Sequence, residues 1–297
     1  MEFPKTSDSP RVLFVGRSTL DAVYWLDQLP DEDTKTYARQ LRALPGGPAL
    51  NAALTHAKLG GRSLLVSAVG DGPWAPIVRA ELARHEIQLL DLAGGTAYET
   101  PLTTVLINST NSTRTIVNPP LSTVSLPRFS GSWQQAVPAS WGAVPPVVLT
   151  DGFHLAETLP LLAACQGSAI CLDGGSWKPG TAELAPMLTI ALCSERFTIP
   201  GQPSGPELIL EWFAAQGVPY IAVTRGPRSV LCAERGRRFE IEIEPIEAVD
   251  TLGAGDVLHG VFCYHFAIKP DFERALRLAA QVATRSCLKS GIAGVES

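Results

Sequence analysis

The chain has 297 residues, 45% of them hydrophobic, enough to bury one large core or two smaller ones. Its formal net charge of -5 argues against nucleic-acid and anionic-membrane partners, which need a basic face, and points to a small-molecule ligand. The six cysteines are scattered without a CxxC pair or zinc-type histidine spacing, so they read as reduced buried thiols.

The opening MEFPKTSDSPR lacks an apolar signal core, and no apolar run reaches the roughly 20 residues a bilayer span requires, so a cytoplasmic location is expected. RVLFVG, ending at Gly16, reads as a buried strand stopped by glycine. GGPALNAALTHAKLGG then reads as a helix with Pro48 at its first position and Gly60-Gly61 closing it. SLLVSAVG is a second buried strand, and APIVRAELARHEI a second amphipathic helix.

Between Thr100 and Asn118 two Thr/Val/Ile runs flank Asn-Ser-Thr-Asn-Ser, which is hairpin chemistry and marks an excursion from the main sheet. Strand-like runs return at PPVVLTDG, SAICLDGG and YIAVTRG, separated by helix-length segments such as GPELILEWFAAQG. The alternation predicts a doubly wound α/β sheet.

The stretch DTLGAGDVLHG carries the chemistry. Gly253 and Gly255 allow the backbone to gather consecutive N–H groups toward one point, and a helix starting near Asp256 adds its positive end, making a socket for an anion such as phosphate. The helix end should favour ionised Asp256, which could then take a proton from a hydroxyl. A base beside an anion hole suits phosphoryl transfer. The same four residues also suit a tight turn with a capping aspartate. Neither a GxxxxGK[ST] loop nor a GxGxxG dinucleotide fingerprint is present.

With these motifs in view, the sequence resembles the ribokinase-like carbohydrate kinases, the PfkB family. D-T-x-G-A-G-D before an apolar helix is one match, and PGGPALNAALTHAKLGG followed by VSAVGDG is a second, far upstream. The resemblance runs from VGRSTLDAVYWLDQLP to SCLKSGIAGVES. It implies one ribokinase-like domain over 1–297, with a mostly parallel sheet flanked by helices and a small β lid from excursions near 34–45 and 96–120. It also implies an ATP- and Mg²⁺-dependent sugar kinase.

By that resemblance Asp256 is the base, and the amides of Gly253, Ala254, Gly255 and Asp256 form the anion hole. Asp250 and Thr251 stand where many members help form a monovalent-cation site, which leaves potassium activation open. Asp21, Gly46, Gly47 and Asn51 are the sugar-binding candidates, with Asp151 near the same pocket. NSTRTIVN resembles the lid segment of ketohexokinase-like members, which makes Arg114 a candidate near the substrate or the transferred phosphate. Thr224 and Gly226 are candidates for nucleotide contacts, and Cys287 and Gly291 for the border of the adenine.

The sequence also departs from the family. The NxxE motif tied to magnesium has no clean counterpart near LCSERFTIP, where Glu195 is a substitute, and Pro48 replaces a polar residue that several relatives carry. The acceptor is read as a small carbohydrate, first a ketohexose or its derivative. A nucleoside kinase and a non-catalytic sugar- or nucleotide-binding protein are the alternatives. Lids of this kind often pair between subunits, so a homodimer is expected.

Overall fold

A computed structural model describes residues 9–111 and 113–288 of the chain. In chain order the elements are β1 (Arg11–Gly16), β2 (Thr19–Leu26), β3 (Gln40–Gly46), α1 (Pro48–Lys58), β4 (Arg62–Ser67), α2 (Ala75–Arg84), β5 (Gln88–Asp91), β6 (Leu102–Asn108) and β7 (Thr113–Val117). They continue with α3 (Trp133–Ala136), β8 (Val147–Thr150), α4 (Leu155–Ala164), β9 (Ala169–Gly174), α5 (Thr181–Leu184) and β10 (Ile190–Ser194). The last are α6 (Pro206–Ala215), β11 (Tyr220–Arg225), β12 (Arg228–Glu234), β13 (Arg237–Ile241), α7 (Ala254–Ile268) and α8 (Phe272–Ser286).

Among the described residues the main sheet has nine strands in the order β13-β12-β11-β10-β9-β8-β1-β4-β5. From β11 to β5 every pairing is parallel, and β12 and β13 extend the edge as an antiparallel pair. Alternation within β1 explains its double burial: Val12 and Phe14 point into the core on one face, Leu13 and Val15 into the core on the other. The first core is closed by α1, α2, α7 and α8, through residues such as Leu50, Val78, Phe262 and Leu276. The second is closed by α4, α5 and α6, through Leu161, Leu184 and Phe213. This is the ribokinase-like α/β fold.

The chain leaves β1 for β4 and β5 on one side, then returns to build β8 to β11 on the other. That reversal opens a crevice beyond the carboxyl ends of β1 and β8, the place where open α/β sheets bind ligands. Gly16, Asp151, Asp173, Glu195 and Thr224 all lie at or just past the carboxyl ends of parallel strands.

A second sheet, ordered β3-β2-β6-β7, rises from the same edge, because only two residues separate β1 from β2. The hairpin expected near Thr100 to Asn118 is β6 and β7, and the excursion expected near 34–45 contains β3, whose strand runs from Gln40 to Gly46. Strand β2 was not anticipated, although it supplies the central pairing, parallel to β6 and antiparallel to β3. One face of this sheet buries Val23, Trp25, Val105 and Ile107, with Leu44 and Leu252 packed against them. Leu252 belongs to the glycine-rich loop before α7, so this small core ties the second sheet to that loop. No helix among the described residues is long and apolar enough to cross a membrane.

Candidate active site

Helix α7 begins at Ala254, capped by Gly253 in the left-handed region at φ 74°. A side chain would be strained there, so the sequence needs glycine at the turn. Asp256 is therefore in the first turn and not the cap, which corrects the capping alternative; no side chain caps this helix. Ala254 N–H reaches the Thr251 carbonyl weakly, at 3.4 Å, while the N–H groups of Gly253, Gly255 and Asp256 have no backbone acceptor among the described residues. Open space lies beyond Gly255, where a Cβ would meet nothing within 4 Å. The helix end thus presents unsatisfied donors to open space, as an anion hole requires.

Packing brings the distant motif to this point. A Cβ on Gly260 would lie 2.5 Å from the Ala52 carbonyl oxygen and 2.6 Å from Thr55 Cβ, so glycine allows α7 to cross closely over α1. As a result Asn51 Nδ2 donates to Asp256 Oδ2 at 2.7 Å. Asn51 Oδ1 is buried without a partner and remains able to accept a hydroxyl.

The Asp256 carboxyl is pushed up to about 8, first by burial and next by the nearby charge of Asp173, with Asp151 and Asp21 adding to it. The Asn51 amide opposes the shift. This corrects the expectation that the helix end keeps Asp256 ionised, because loss of solvent and like-charge crowding outweigh the helix dipole. Asp173, at the end of β9, was missed in the sequence. Its Oδ2 lies 3.4 Å from His259 Nδ1 and has no hydrogen-bond partner. The run LDGG at the end of a buried parallel strand was the available signal. His259 itself packs between layers, with Nδ1 against Gly255 O at 2.7 Å and Nε2 against Leu192 O at 3.2 Å.

Opposite Asp256 lie the sugar-side candidates. Asp21 accepts from Thr19 Oγ1 at 2.7 Å, and burial raises its carboxyl above the usual range. A Cβ on Gly46 would meet Asp21 Oδ2 at 2.1 Å, and one on Gly47 would meet the Arg17 carbonyl at 2.3 Å, so the glycine pair lets β3 and β2 close around that carboxylate. Asp151 is buried, and burial pushes its carboxyl up to about 7. Its oxygens accept from the backbone N–H of Arg17 (2.9 Å), Ala49 (3.1 Å) and Phe153 (2.9 Å). Asp151 therefore fastens three chain segments together beneath the crevice.

Arg114, exposed on β7, reaches back to the glycine-rich loop, where Nη1 donates to Thr251 O at 3.1 Å and to Thr251 Oγ1 at 2.7 Å. The cation beside Thr251 in this structure is a guanidinium. Asp250 is buried, and its Oδ1 accepts from Leu252 N–H at 2.8 Å, fixing the loop's shape.

The nucleotide-side candidates line the neighbouring strand ends. Thr224 Oγ1 donates to Cys193 O at 3.3 Å, and Gly226 turns at φ 64° with open space around it. Glu195 is paired with Arg228 through its carboxylate and with Thr224 O through its N–H at 2.9 Å, so its carboxylate is already engaged by a cation. Cys287 O accepts from Val249 N–H at 2.8 Å and Asp250 N–H at 3.2 Å, which docks the end of α8 against the loop. Gly291 lies outside the described residues.

Comparison with known proteins shows the family and the fold. The chain is 23% identical to the ribokinase of Bacillus subtilis (strain 168), across 95% of this chain and 94% of that protein. It is 22% identical to the ketohexokinase of Mus musculus, across 97% of this chain and 99% of that protein. The solved structure of Arabidopsis thaliana ribokinase complexed with ribose and ATP superimposes with a TM-score of 0.75 at 21% identity, across 96% of this chain and 95% of that one. The sequence profile of the pfkB family carbohydrate kinases matches residues 9–296. The chain belongs to the pfkB family of carbohydrate kinases, which are phosphotransferases acting on sugars.

Proposed function

We propose that this protein transfers the γ-phosphoryl group of ATP to a hydroxyl of a small carbohydrate, with ketohexoses and their derivatives as the first acceptors to test. The observation that carries the reading is the 2.7 Å bond between Asn51 and Asp256, made directly beside the unsatisfied amides that open α7. A hydroxyl held by Asp21 and Asn51 Oδ1 would present its proton to Asp256. The amides of Gly253, Gly255 and Asp256 would receive the negative charge that spreads over the moving phosphoryl. Thr224, Gly226 and the end of α8 at Cys287 would flank the rest of the nucleotide.

Magnesium, when bound with ATP, would neutralise the phosphates. Among the described residues no group of three His, Cys, Asp or Glu side chains is placed to hold a metal, and Glu195 already pairs with Arg228. The chain therefore fits a metal carried mainly by the nucleotide and water, with the buried, unbonded Asp173 Oδ2 as a carboxylate oxygen of suitable chemistry. Potassium at Thr251 would compete with Arg114 for the same carbonyl, so replacing NaCl by KCl should leave turnover within about twofold while that contact persists.

The second sheet acts in this reading as a lid, drawn onto the site by Leu252 and Arg114. Closure would exclude water from the transferred group and limit ATP hydrolysis. Leu41, Leu102 and Val117 remain exposed on the outer face of the second sheet, and we assign these apolar groups to a homodimer contact. A monomeric mass by light scattering at assay concentration would remove the dimer from the proposal.

The deciding experiment measures ADP release over ketoses, aldoses, sugar acids and nucleosides. Turnover of a carbohydrate, lost by at least about 1,000-fold in Asp256→Asn with sugar binding retained, is the expected result. Tight sugar binding without turnover in the unaltered protein would show a binding protein instead.

A further inference from the structure

Arg17 follows β1 directly and is only 8% exposed, yet its guanidinium has no hydrogen-bond or ion-pair partner among the described residues. Its side-chain neighbour is the ring of Phe153, with Cζ 5.0 Å from the centroid. A second cation meets the same ring: Lys178 Nζ lies 4.6 Å from that centroid. The Lys178 ammonium donates to the Ser176 hydroxyl and, at 3.1 Å, to the Ser176 carbonyl, both uncharged acceptors. Next along the chain, His154 takes a left-handed φ of 58° and buries an Nε2 that has no partner.

Two like charges at one ring repel, and the aromatic face offsets that repulsion only partly. The Asp151 carboxylate, whose charge Lys178 feels, uses its oxygens on three backbone amides and forms no ion pair with either cation. A ligand that brings an anion to this ring would relieve the repulsion between the two cations.

Its place in the fold says which ligand. Arg17 lies in the two-residue link between β1 and β2, its carbonyl under Gly47 and its charge felt by Asp21. The amides suited to the transferred phosphoryl belong to a separate element, the start of α7. We propose that Arg17 and Lys178, beside His154 Nε2, form an anion subsite of the acceptor pocket, so that the acceptor is an acidic carbohydrate bearing a phosphate or carboxylate in addition to its reacting hydroxyl. This rests on the sugar-kinase reading and narrows its substrate class.

The test compares kcat/KM for fructose 6-phosphate, ribose 5-phosphate and gluconate with kcat/KM for fructose, ribose and glucose, in the unaltered chain and in Arg17→Gln and Lys178→Gln. At least one acidic acceptor is expected to exceed its neutral counterpart by about 100-fold or more, and each substitution should reduce that ratio by about tenfold or more. Should Arg17→Gln fail to fold, Lys178→Gln carries the same comparison. Neutral sugars used as well as acidic ones would overturn the subsite while leaving the kinase reading intact. Variants that keep the ratio but raise KM for ATP would assign the cations to the nucleotide and also overturn it. Absence of turnover with every acceptor, together with a thermal shift by acidic sugars that both variants lose, would support the subsite and refute the kinase.

Discussion

Asn51 Nδ2 donates to Asp256 Oδ2 at 2.7 Å, so the buried amide of α1 stabilises the ionised form of a carboxyl that its other neighbours drive toward protonation. The consequence is asymmetric. Burial and the charges of Asp173, Asp151 and Asp21 all raise the Asp256 carboxyl, and the Asn51 hydrogen bond is what opposes them. Substituting Asn51→Asp exchanges that donor for another carboxylate at the same distance. The ascending limb of the pH dependence of kcat/KM should move to higher pH by about one unit or more, because two carboxylates in contact share a proton. An unmoved limb would mean that Asp256 does not set it.

The unaltered enzyme should itself show that limb near pH 8 in kcat/KM, since a base must be ionised to accept a proton. The same shift has a stability consequence. Asp256 binds its proton more tightly in the folded chain, at about 8, than at the ordinary value of 3.8, so its contribution to stability is complete below about pH 4 and is lost as pH climbs to about 8. Asp151, pushed up to about 7, acts in the same direction. Asp256→Asn removes the ionisation and keeps an oxygen for the Asn51 donor. Its melting temperature should match the unaltered protein near pH 4 and exceed it by at least about 2 °C at pH 8. Thermal unfolding across that range, read beside the lost activity, checks both halves.

Much of this site was legible in the sequence, for identifiable reasons. Apolar β-branched runs ending in glycine marked β1, β4, β8, β9 and β11, because strands buried on both faces read as continuous hydrophobic segments. Gly253 announced the α7 turn because few residues tolerate its φ. The strand β2 escaped because TLDAVYWL neither alternates cleanly nor is set off by a turn, and only its pairing with β3 and β6 makes it central. Arg17, Lys178 and Asp173 escaped for another reason. Isolated charges near turns look like ordinary loop chemistry until folding gathers them at the crevice. The protonation of Asp256 was misjudged because the helix end is local and visible, whereas Asp21, Asp151 and Asp173 crowd it from three distant segments.

Gly255 separates stability from activity. It occupies the first turn of α7, and a methyl group placed on it would have nothing within 4 Å, so Gly255→Ala meets no steric conflict in the fold. Alanine in a helix is favoured over glycine by about 1 kcal/mol, and the melting temperature should not fall. The added methyl would project into the space above the unsatisfied amides, where the transferred phosphoryl is proposed to lie. Turnover should fall by about tenfold or more, with KM for ATP raised. Full activity in a normally folded Gly255→Ala would place the phosphoryl elsewhere.

Gly260 tests whether the Asn51 contact depends on helix packing. A Cβ there would approach the Ala52 carbonyl to 2.5 Å and Thr55 Cβ to 2.6 Å, both too short to hold, so Gly260→Ala must push α7 away from α1. The displaced crossing should cost about 1–3 kcal/mol, the usual range for forcing volume into a packed core. It should also lengthen the Asn51 to Asp256 bond one turn away. Activity should then fall further than the loss of folded protein explains, and the pH limb should shift upward as it does in Asn51→Asp. If Gly260→Ala lost stability while its folded fraction kept full specific activity and an unchanged pH profile, the base would not depend on the crossing of these two helices.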